Sequence, residues 1–570
     1  MKQPQGTNNR HTLLVVAIAI ISFTVQWGWA QQPRVQLFPL SAVRLLDSDF
    51  KQAQQTDAAY ILALDADRLL APFLKEAGLS PARPAYGNWE SDGLDGHTCG
   101  HYITALAQMA AATGQAVFTE KLHYVVAQLA ACQQANGNGY VGGVPGSKAL
   151  WAEIEKGNVA AIWKKWVPWY NIHKTYSGLL DAWLLTKNEA AKQVLLGMGE
   201  WAIQLTRNLT DDQMQQMLGN EYGGMNEVFA ALAELTGDQR YLQLSERFAH
   251  RALLNPLLAG SDRLTGLHAN TQIPKVIGFA KYGQVAANGQ WTKAADFFWQ
   301  TVVNTRTVAF GGNSVREHFN PAADFGPMLD SREGPETCNS YNMLKLTKAL
   351  FVSNPVGSYL DYYERTLYNH ILSSQHPKGG FVYFTPIHPQ HYRVYSQPQQ
   401  AFWCCVGSGI ENHGKYGELV YAFDSSSLYL NLFIPSVLDW PQWGMQLTQQ
   451  TRFPFSRQTQ LALQMDAPRQ FTLKIRKPAW LSGELLVTVN GKKLSSIPEA
   501  SGYLIIKNTW KNGDTIKLTL PMATRGEPLP DGSPWMAFMH GPVLLAAATD
   551  TARIHMPGLA ADGSRWGHIA

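Results

Sequence analysis

The sequence contains little charge and few cysteines. Only 16% of its 570 residues are charged, and 47 basic residues against 43 acidic ones leave a formal net charge of +4. A basic surface that binds nucleic acid is therefore not expected. Five cysteines are too few for a scaffold built on disulfides, and the odd number leaves at least one thiol to explain. Hydrophobic residues make up 45% of the chain, which argues against disorder and against a multi-span membrane protein.

The N-terminus carries a short apolar run behind positive charges. Lys2 and Arg10 precede the apolar residues 13–23, and small residues end a cleavage motif at Ala30. The run is shorter than the ~20 residues that a membrane-spanning helix needs. We predict that residues 1–30 are a cleaved secretory signal, that no membrane span remains, and that the bacterial protein is periplasmic or secreted.

Residues 31–420 are predicted to form paired helices. From about residue 50 to 370, apolar residues recur at three- and four-residue spacing, the period of an amphipathic helix. Breaks centred on Gly114, Lys187 and Gly237 each end one such stretch before another begins. Helical hairpins at irregular intervals, with aromatic- and glycine-rich loops between them, are more typical of a toroid than of a solenoid. We expect loops of that composition to lie together at one end of the toroid, around its mouth.

After residue 420 the apolar period changes to two, which predicts a β-sandwich over residues 421–570. Asn490 and Gly491 form a strong hairpin-turn signal within it. The stretch from 35 to 46 also has strand character and could join the sandwich across the sequence. The chain ends at Ala570 without a polar tail, so the sandwich could be truncated there.

Three of the five cysteines lie in two segments, one of which also carries a glutamate. Cys338 follows Glu336 in PETCNSYNMLKL, and Cys404 and Cys405 are adjacent in FWCCVGSG. The residues after Cys338 have helical spacing, so this thiol lies near a helix N-terminus, where backbone N–H groups favour a thiolate. Three sulfurs and a carboxylate form a tetrahedral zinc set. Because exported thiols normally oxidise, such a cluster would be protected by a metal or kept for chemistry.

The same residues permit other interpretations. Free cysteines are commonly buried as small apolar residues, a strained disulfide between Cys404 and Cys405 is chemically allowed, and the spacing differs from that of zinc fingers. Glu317, in GGNSVREHF, lies beside an arginine and a histidine and could simply be solvated or paired. The residues alone leave these alternatives open.

At these segments the sequence resembles glycoside hydrolase family 127 and its relative family 146, the bacterial β-L-arabinofuranosidases. The similarity covers most of the mature chain. It is carried by SAVRLLDSDF, RLLAPFLKEAGL, LDGHTCGHY, WYNIHKTYSGLLDAW, GLHANTQIPK, GGNSVREHF, ETCNSYNMLKL, YERTLYNHIL and FWCCVGSG. The resemblance implies a mainly α fold, an (α/α)6 toroid barrel followed by an antiparallel β-sandwich. It also implies a Zn²⁺ site inside the barrel and a plant-derived, arabinose-containing oligosaccharide or polysaccharide as substrate.

The resemblance also assigns roles to individual residues. The nucleophile would be Cys404 and the general acid/base Glu317, and one family histidine falls at Met225, where Asn226 could substitute. The metal ligands would be Glu336, Cys338, Cys404 and Cys405. The sugar-contacting positions would be His173, His268, Glu364 and Tyr383. Asp95 and His97 are further pocket candidates, or they only cap and pair at a helix start.

This residue set suits a retaining glycosidase, which needs a nucleophile on one face of the anomeric carbon and a proton donor at the leaving oxygen. A thiolate would replace the usual carboxylate, because zinc removes the thiol proton. Two other functions remain open: another (α/α)6 carbohydrate enzyme, such as an unsaturated-uronide hydrolase or a polysaccharide lyase, and an inactive glycan-binding protein. The sequence does not indicate an oligomeric state.

Overall fold

The computed structural model describes residues 35–389 and 391–547, together with residues 1 and 567. The predicted signal segment and the C-terminal tail lie outside the described residues, apart from Met1 and Gly567. Among the described helices, none combines the length and the apolar composition that crossing a membrane requires.

Seventeen α-helices form the first part of the described chain. They are α1 Asp49–Ala63, α2 Ala66–Glu76, α3 His97–Thr113, α4 Ala116–Asn136, α5 Ser147–Glu155, α6 Pro168–Thr186, α7 Glu189–Thr206, α8 Asp211–Met217, α9 Met225–Thr236, α10 Gln239–Arg247, α11 Arg251–Leu258, α12 Ala269–Val285, α13 Gly289–Thr305, α14 Gly326–Asp330, α15 Thr337–Ser353, α16 Gly357–Thr366 and α17 Cys404–Asn412.

Six of these helices form a closed inner ring. Helices α3, α6, α9, α12, α15 and α17 each contact the next, and α17 returns to α3. Helices α4, α7, α10, α13 and α16 follow their inner partners along the chain and pack outside them, and α1 packs against α17. The inner helices are buried on nearly all sides; in α3 every residue from His97 to Ala112 is buried. The arrangement is an (α/α)6 barrel, as predicted.

The three predicted breaks end inner helices. Gly114 and Gly237 cap α3 and α9 in the left-handed conformation, with φ of 72° and 75°. Lys187 adopts the same conformation at the end of α6, with φ 59°. A left-handed residue reverses the chain direction and satisfies the last carbonyl groups of a helix, so each inner helix turns directly into its outer partner.

In the described part of the chain, sixteen strands form three sheets. The strands are β1 Gln36–Leu37, β2 Val43–Leu45, β3 Tyr421–Phe423, β4 Ser427–Leu430, β5 Ser436–Trp440, β6 Met445–Thr451, β7 Gln458–Met465, β8 Arg469–Arg476, β9 Leu486–Val489, β10 Lys492–Lys493, β11 Glu499–Ala500, β12 Tyr503–Trp510, β13 Thr515–Thr519, β14 Thr524–Pro528, β15 Met536–His540 and β16 Val543–Leu545. The two large sheets have the orders β1-β3-β4-β8-β12-β11 and β10-β9-β13-β7-β6-β5-β2 and form the predicted sandwich. All their pairings are antiparallel except that of β4 with β8.

The N-terminal strands join the sandwich across the sequence, as the strand character of residues 35–46 predicts. Strand β1 pairs with β3, and β2 pairs with β5, so that one short stretch contributes an edge to both sheets. The buried side chains of the sandwich and of the second half of the barrel form one continuous apolar core. The barrel is therefore held in a fixed orientation on the sandwich.

The structure corrects the prediction that all residues after 420 form one sandwich. Among the described strands, β14, β15 and β16 pair only with one another. This third sheet docks on the barrel: Arg365 binds Glu527, and Asn369 bonds the backbone of Pro542 and Leu544 at 2.8 Å each. Its alternating pattern resembles that of the sandwich strands, so periodicity alone could not separate the two.

Candidate active site

The inner helices begin at the same mouth of the barrel. Glu336 is the residue before α15, and Cys404 is the first residue of α17. His268 is the residue before α12 and His97 is the first residue of α3. Cys404 lies near the other three, since a thiolate there acts on the pKa of both histidines and of Glu336. Helix N-termini carry partial positive charge, so this mouth favours thiolates and carboxylates.

Four ligand-type side chains meet at this mouth. One atom each of Glu336, Cys338, Cys404 and Cys405 lies within 4.8 Å of the others, and all four residues are buried. The Cys405 Sγ atom lies 3.0 Å from Cys338 Sγ, and the Sγ atoms of Cys404 and Cys405 each lie 3.8 Å from Glu336 Oε1. All five cysteines of the chain are free thiols. We call these four residues the metal cluster.

The metal cluster fits a bound cation. Burial raises the pKa of the Cys404 and Cys405 thiols and, together with neighbouring charges, that of the Glu336 carboxyl. The second carboxylate oxygen of Glu336 is buried without a hydrogen-bond partner among the described residues. Buried anionic groups without partners are costly, and a cation held between the sulfurs would remove that cost. The three-sulfur, one-oxygen donor set is that of a tetrahedral metal site.

Glu317 lies at the rim of the same pocket, about one third exposed. Its Oε1 atom accepts a hydrogen bond of 2.5 Å from the Tyr383 hydroxyl group, and its Oε2 atom lies 3.6 Å from His268 Nε2. A hydrogen bond with Tyr383 also acts on Cys404, where it opposes the rise in thiol pKa that burial causes. Tyr383 therefore lies between the carboxylate of Glu317 and the sulfur of Cys404.

The backbone of the segment 313–318, which we call the Glu317 segment, is unusual. Ser314, Arg316 and Glu317 have φ values of 76°, 46° and 67°, in the left-handed region that residues other than glycine rarely adopt. Asn339 Nδ2 holds this segment by donating to Ser314 Oγ at 2.6 Å, and the Glu317 carbonyl accepts from Ala269 N–H at 2.7 Å. Such strain persists where surrounding contacts determine the conformation, commonly at functional sites.

Three further predicted residues line the pocket or support it. His173 is almost fully buried, and neither ring nitrogen has a hydrogen-bond partner among the described residues. Burial lowers the pKa of His173, so the imidazole is neutral. Burial raises the pKa of Asp95 to about 6. His97 is fully buried and its Nδ1 atom lies 2.8 Å from Glu90, so it pairs at the helix start as well as facing Cys404.

Sequence comparison assigns the helical part of the chain to a known family. The family described as "Beta-L-arabinofuranosidase, GH127 catalytic domain" matches residues 42–418. The chain belongs to glycoside hydrolase family 127. The middle domain of family 127 matches residues 427–522, and a domain of unknown function matches residues 525–570. The boundary between these two matches falls where the third sheet begins.

Solved structures of family 127 share the fold. A β-arabinofuranosidase of the family has a TM-score of 0.72 at 18% identity and covers 90% of this chain and 85% of its own. A β-L-arabinofuranosidase from Geobacillus stearothermophilus T6 has a TM-score of 0.67 at 19% identity, with coverages of 88% and 86%. At these identities the similarity demonstrates the fold alone.

A curated relative is the non-reducing end β-L-arabinofuranosidase of Bifidobacterium longum subsp. longum. It is 24% identical to this chain over 267 residues. The match covers 43% of this chain and 39% of the relative, so well under half of that protein is matched.

One predicted sugar-contacting residue of this family 127 chain lies elsewhere. Glu364 is fully buried in α16, and its carboxylate accepts hydrogen bonds from Arg476 and from Trp480 Nε1, the latter at 2.7 Å. Arg476 belongs to β8, so this pair joins the barrel to the sandwich. The prediction that Glu364 contacts sugar is wrong, because Arg476 and Trp480 already bind both of its carboxylate oxygens.

The structure also identifies residues that sequence reasoning missed. Glu221 lies in the loop before α9, and its charge acts on His268 and Tyr170 at the mouth. The glycine-rich loop NEYGGMNE indicated the mouth, but not which carboxylate faces it. Asn226 does not replace the family histidine at Met225, because its amide donates to the Lys275 carbonyl inside the barrel at 2.9 Å.

Proposed function

We propose that this family 127 chain is an exported, retaining glycosidase that releases β-L-arabinofuranose from plant glycans. Cys404 is the nucleophile, Glu317 is the acid/base, and the metal cluster holds Zn²⁺. The observation that carries the proposal is the position of Tyr383, whose hydroxyl group interacts with both Glu317 and Cys404. A nucleophile and a proton donor that share one neighbour can act on the same glycosidic bond.

The donor set of the metal cluster supports zinc. Three sulfurs and one carboxylate oxygen suit zinc, whereas magnesium and calcium prefer oxygen ligands alone. Bound zinc would keep the three cysteines deprotonated at neutral pH. Glu336, Cys338 and Cys405 would then be ligands only, and Cys404 would be both ligand and nucleophile.

In the first step the Cys404 sulfur forms a bond to the anomeric carbon while the bond from that carbon to the leaving oxygen breaks. Protonated Glu317 transfers its proton to that oxygen, and the alcohol leaves. In the second step a water molecule gives its proton to Glu317, and its oxygen displaces the sulfur from the anomeric carbon. Two inversions restore the original configuration.

The exposure of Glu317 supports its double role. About a third of its side chain is accessible, so water can reach the carboxylate after the first step, whereas Cys404 is shielded. Tyr383 donates to Oε1 and leaves the other oxygen near His268. Tyr383 and His268 thereby orient the carboxylate that exchanges the proton.

The remaining groups at the mouth support a neutral sugar as substrate. The ring nitrogens of His173, which have no hydrogen-bond partner among the described residues, can bond the hydroxyl groups of a pentose together with His268 and Asp95. The carboxylate of Glu221 acts on His268 at the same mouth and would repel the acidic uronides that lyases and uronide hydrolases take. The names of the relatives, β-L-arabinofuranosidases, support arabinose, and the pattern of residues 1–30 supports export.

The proposal can be tested with aryl glycosides that differ only in the pentose. We expect hydrolysis of the β-L-arabinofuranoside, with β-L-arabinofuranose as the first-formed product by NMR, and about one zinc per chain by elemental analysis. The α-L-arabinofuranoside and β-D-xylopyranoside are the controls, since each misplaces a hydroxyl group or the ring.

Two results would contradict the proposal. An inverted first product would mean that Cys404 does not attack. Less than ~0.2 zinc per chain in protein purified without chelators would remove the metal centre.

A further inference from the structure

A second group of buried polar side chains lies one or two helical turns deeper in the barrel than the metal cluster. Glu411 lies seven residues after Cys404 on α17, and Tyr341 lies three residues after Cys338 on α15. His101 lies four residues after His97 on α3. Residues at these spacings share one face of a helix, so all three point into the same interior as the residues at the mouth.

The carboxylate of Glu411 joins the three helices. His101 Nδ1 donates to its Oε1 atom at 2.5 Å, and the Tyr341 hydroxyl group donates to its Oε2 atom. The Lys415 ammonium group lies 4.0 Å from the centre of the Tyr341 ring. We call these four residues the Glu411 cluster; all of them are buried.

The packing between the two levels is close. A Cβ atom at Gly407 would lie 2.2 Å from His101 Cδ2, so α17 lies directly on α3 at this turn. Ser408 Oγ lies 3.1 Å from Cys338 Sγ, which brings the same turn of α17 against α15. A change in the Glu411 cluster would therefore displace the sulfurs rather than be absorbed by loose packing.

The charge state of Glu411 suits this role. Burial raises its pKa, but the contacts with His101, Lys415 and Tyr341 lower it to about 2. Burial lowers the pKa of His101 to about 4, so at neutral pH an imidazole N–H donates to an ionised carboxylate. Hydrogen bonds to an ionised acceptor are stronger than those between neutral groups.

We propose that Glu411 is a positioning residue for the metal: by holding α17 against α3 and α15, it sets the distance of Cys404 and Cys405 from Cys338. The inference rests on the proposed zinc centre. Zinc–ligand distances are fixed to within ~0.2 Å, so a small shift of α17 changes how well the four ligands close on one ion. A role in folding stability alone would leave metal affinity unchanged.

The test measures the zinc dissociation constant of the whole chain by competition with a chromophoric chelator. Tyr341→Phe removes one oxygen, and Glu411→Gln removes the charge; we expect each to bind zinc about 10–100-fold more weakly than the wild type. In the cobalt-substituted protein, the thiolate-to-cobalt charge-transfer bands should shift as well, which a change in stability alone would not produce.

Tyr359→Phe is the matched control. Tyr359 is likewise buried and donates to a carboxylate, Asp296, at 2.6 Å, but this pair joins the outer helices α16 and α13 and lies outside the Glu411 cluster. This variant should lose thermal stability while its zinc affinity stays within about twofold of the wild type.

Each outcome decides the inference. Zinc affinity equal to wild type in Tyr341→Phe and Glu411→Gln, or an equal loss in Tyr359→Phe, would overturn the positioning role while leaving the zinc centre intact. If Glu411→Gln does not fold, Tyr341→Phe decides alone. A wild-type chain that binds no zinc would instead overturn the proposed centre itself.

Discussion

The metal cluster and the Glu317 segment face one pocket, yet they are built differently. The cluster lies at the beginnings of α15 and α17, is buried, and has regular backbone. The Glu317 segment is a loop with three non-glycine residues in the left-handed region and a side chain that is one third exposed. The metal cluster excludes water, and the Glu317 segment admits it.

The difference follows from the chemistry that each region is proposed to carry out. Sulfurs that hold a metal need low solvent access and fixed spacing, which helix N-termini inside a barrel provide. A group that gives a proton and later takes one from water must be reachable by that water. Separating the two tasks onto helix and loop lets one region stay closed while the other exchanges protons.

The largest effect is expected from Cys404→Ser. The alcohol is a weaker nucleophile and a poorer zinc ligand than the thiolate, so turnover should fall by about 10⁴-fold or more on every substrate. Steady-state kinetics on an aryl glycoside measure this. Cys132→Ser, at a buried position in α4, is the control and should keep wild-type activity. Activity above about 1% in Cys404→Ser would assign the sulfur to metal binding only.

Glu317→Gln should separate the role of the Glu317 segment from that of the metal cluster. With a poor leaving group, activity should fall by about 10²–10⁴-fold because no proton is delivered. With an aryl leaving group the first step proceeds and the second stalls, so mass spectrometry should detect a sugar bound to the peptide that contains Cys404. Glu333→Gln changes a carboxylate next to this segment, where the Glu333 backbone carbonyl accepts from Arg316 N–H at 2.9 Å, and should behave as wild type. Full activity on a poor leaving group would exclude Glu317, and Glu221 would be tested next.

The smallest effect is expected from Asn339→Ala. This variant removes the hydrogen bonds to Ser314 Oγ and to the Asn313 carbonyl, so the Glu317 segment should relax and kcat should fall roughly tenfold. Zinc content should not change, although Asn339 follows Cys338 directly. Ser340→Ala, which loses a hydrogen bond to His370 instead, is the control and should keep the wild-type kcat. Loss of zinc in Asn339→Ala would show that the two regions are not independent.

Short-range signals in the sequence predicted most of the fold. Gly114 and Gly237 end helices where the pattern breaks, and Asn490 and Gly491, with φ of 50° and 78°, join β9 to β10. These signals are reliable because the backbone conformation is decided by the residue itself. The segments ETC and WCC likewise predicted a cluster that the fold brings together.

Interactions between distant segments could not be predicted. The pairing of Glu364 with Arg476 joins two domains, and no local pattern in YERTLYN indicates a partner in the sandwich. The same holds for Asn339, whose side chain binds the Glu317 segment rather than the helix to which it belongs. A buried carboxylate or amide is informative only when its partner is known, and the partner is determined by packing.

The pairing of β1 with β3 has a consequence for the order of folding. Gln36 and Phe423 are neighbours in a sheet but lie about 390 residues apart in the chain, a separation that makes this contact late and slow to form. Helical hairpins form from contacts between nearby residues, whereas the first strands have no partner until the distant sandwich strands are in place. We expect the barrel to form first and the N-terminal strands to pair with the sandwich strands last.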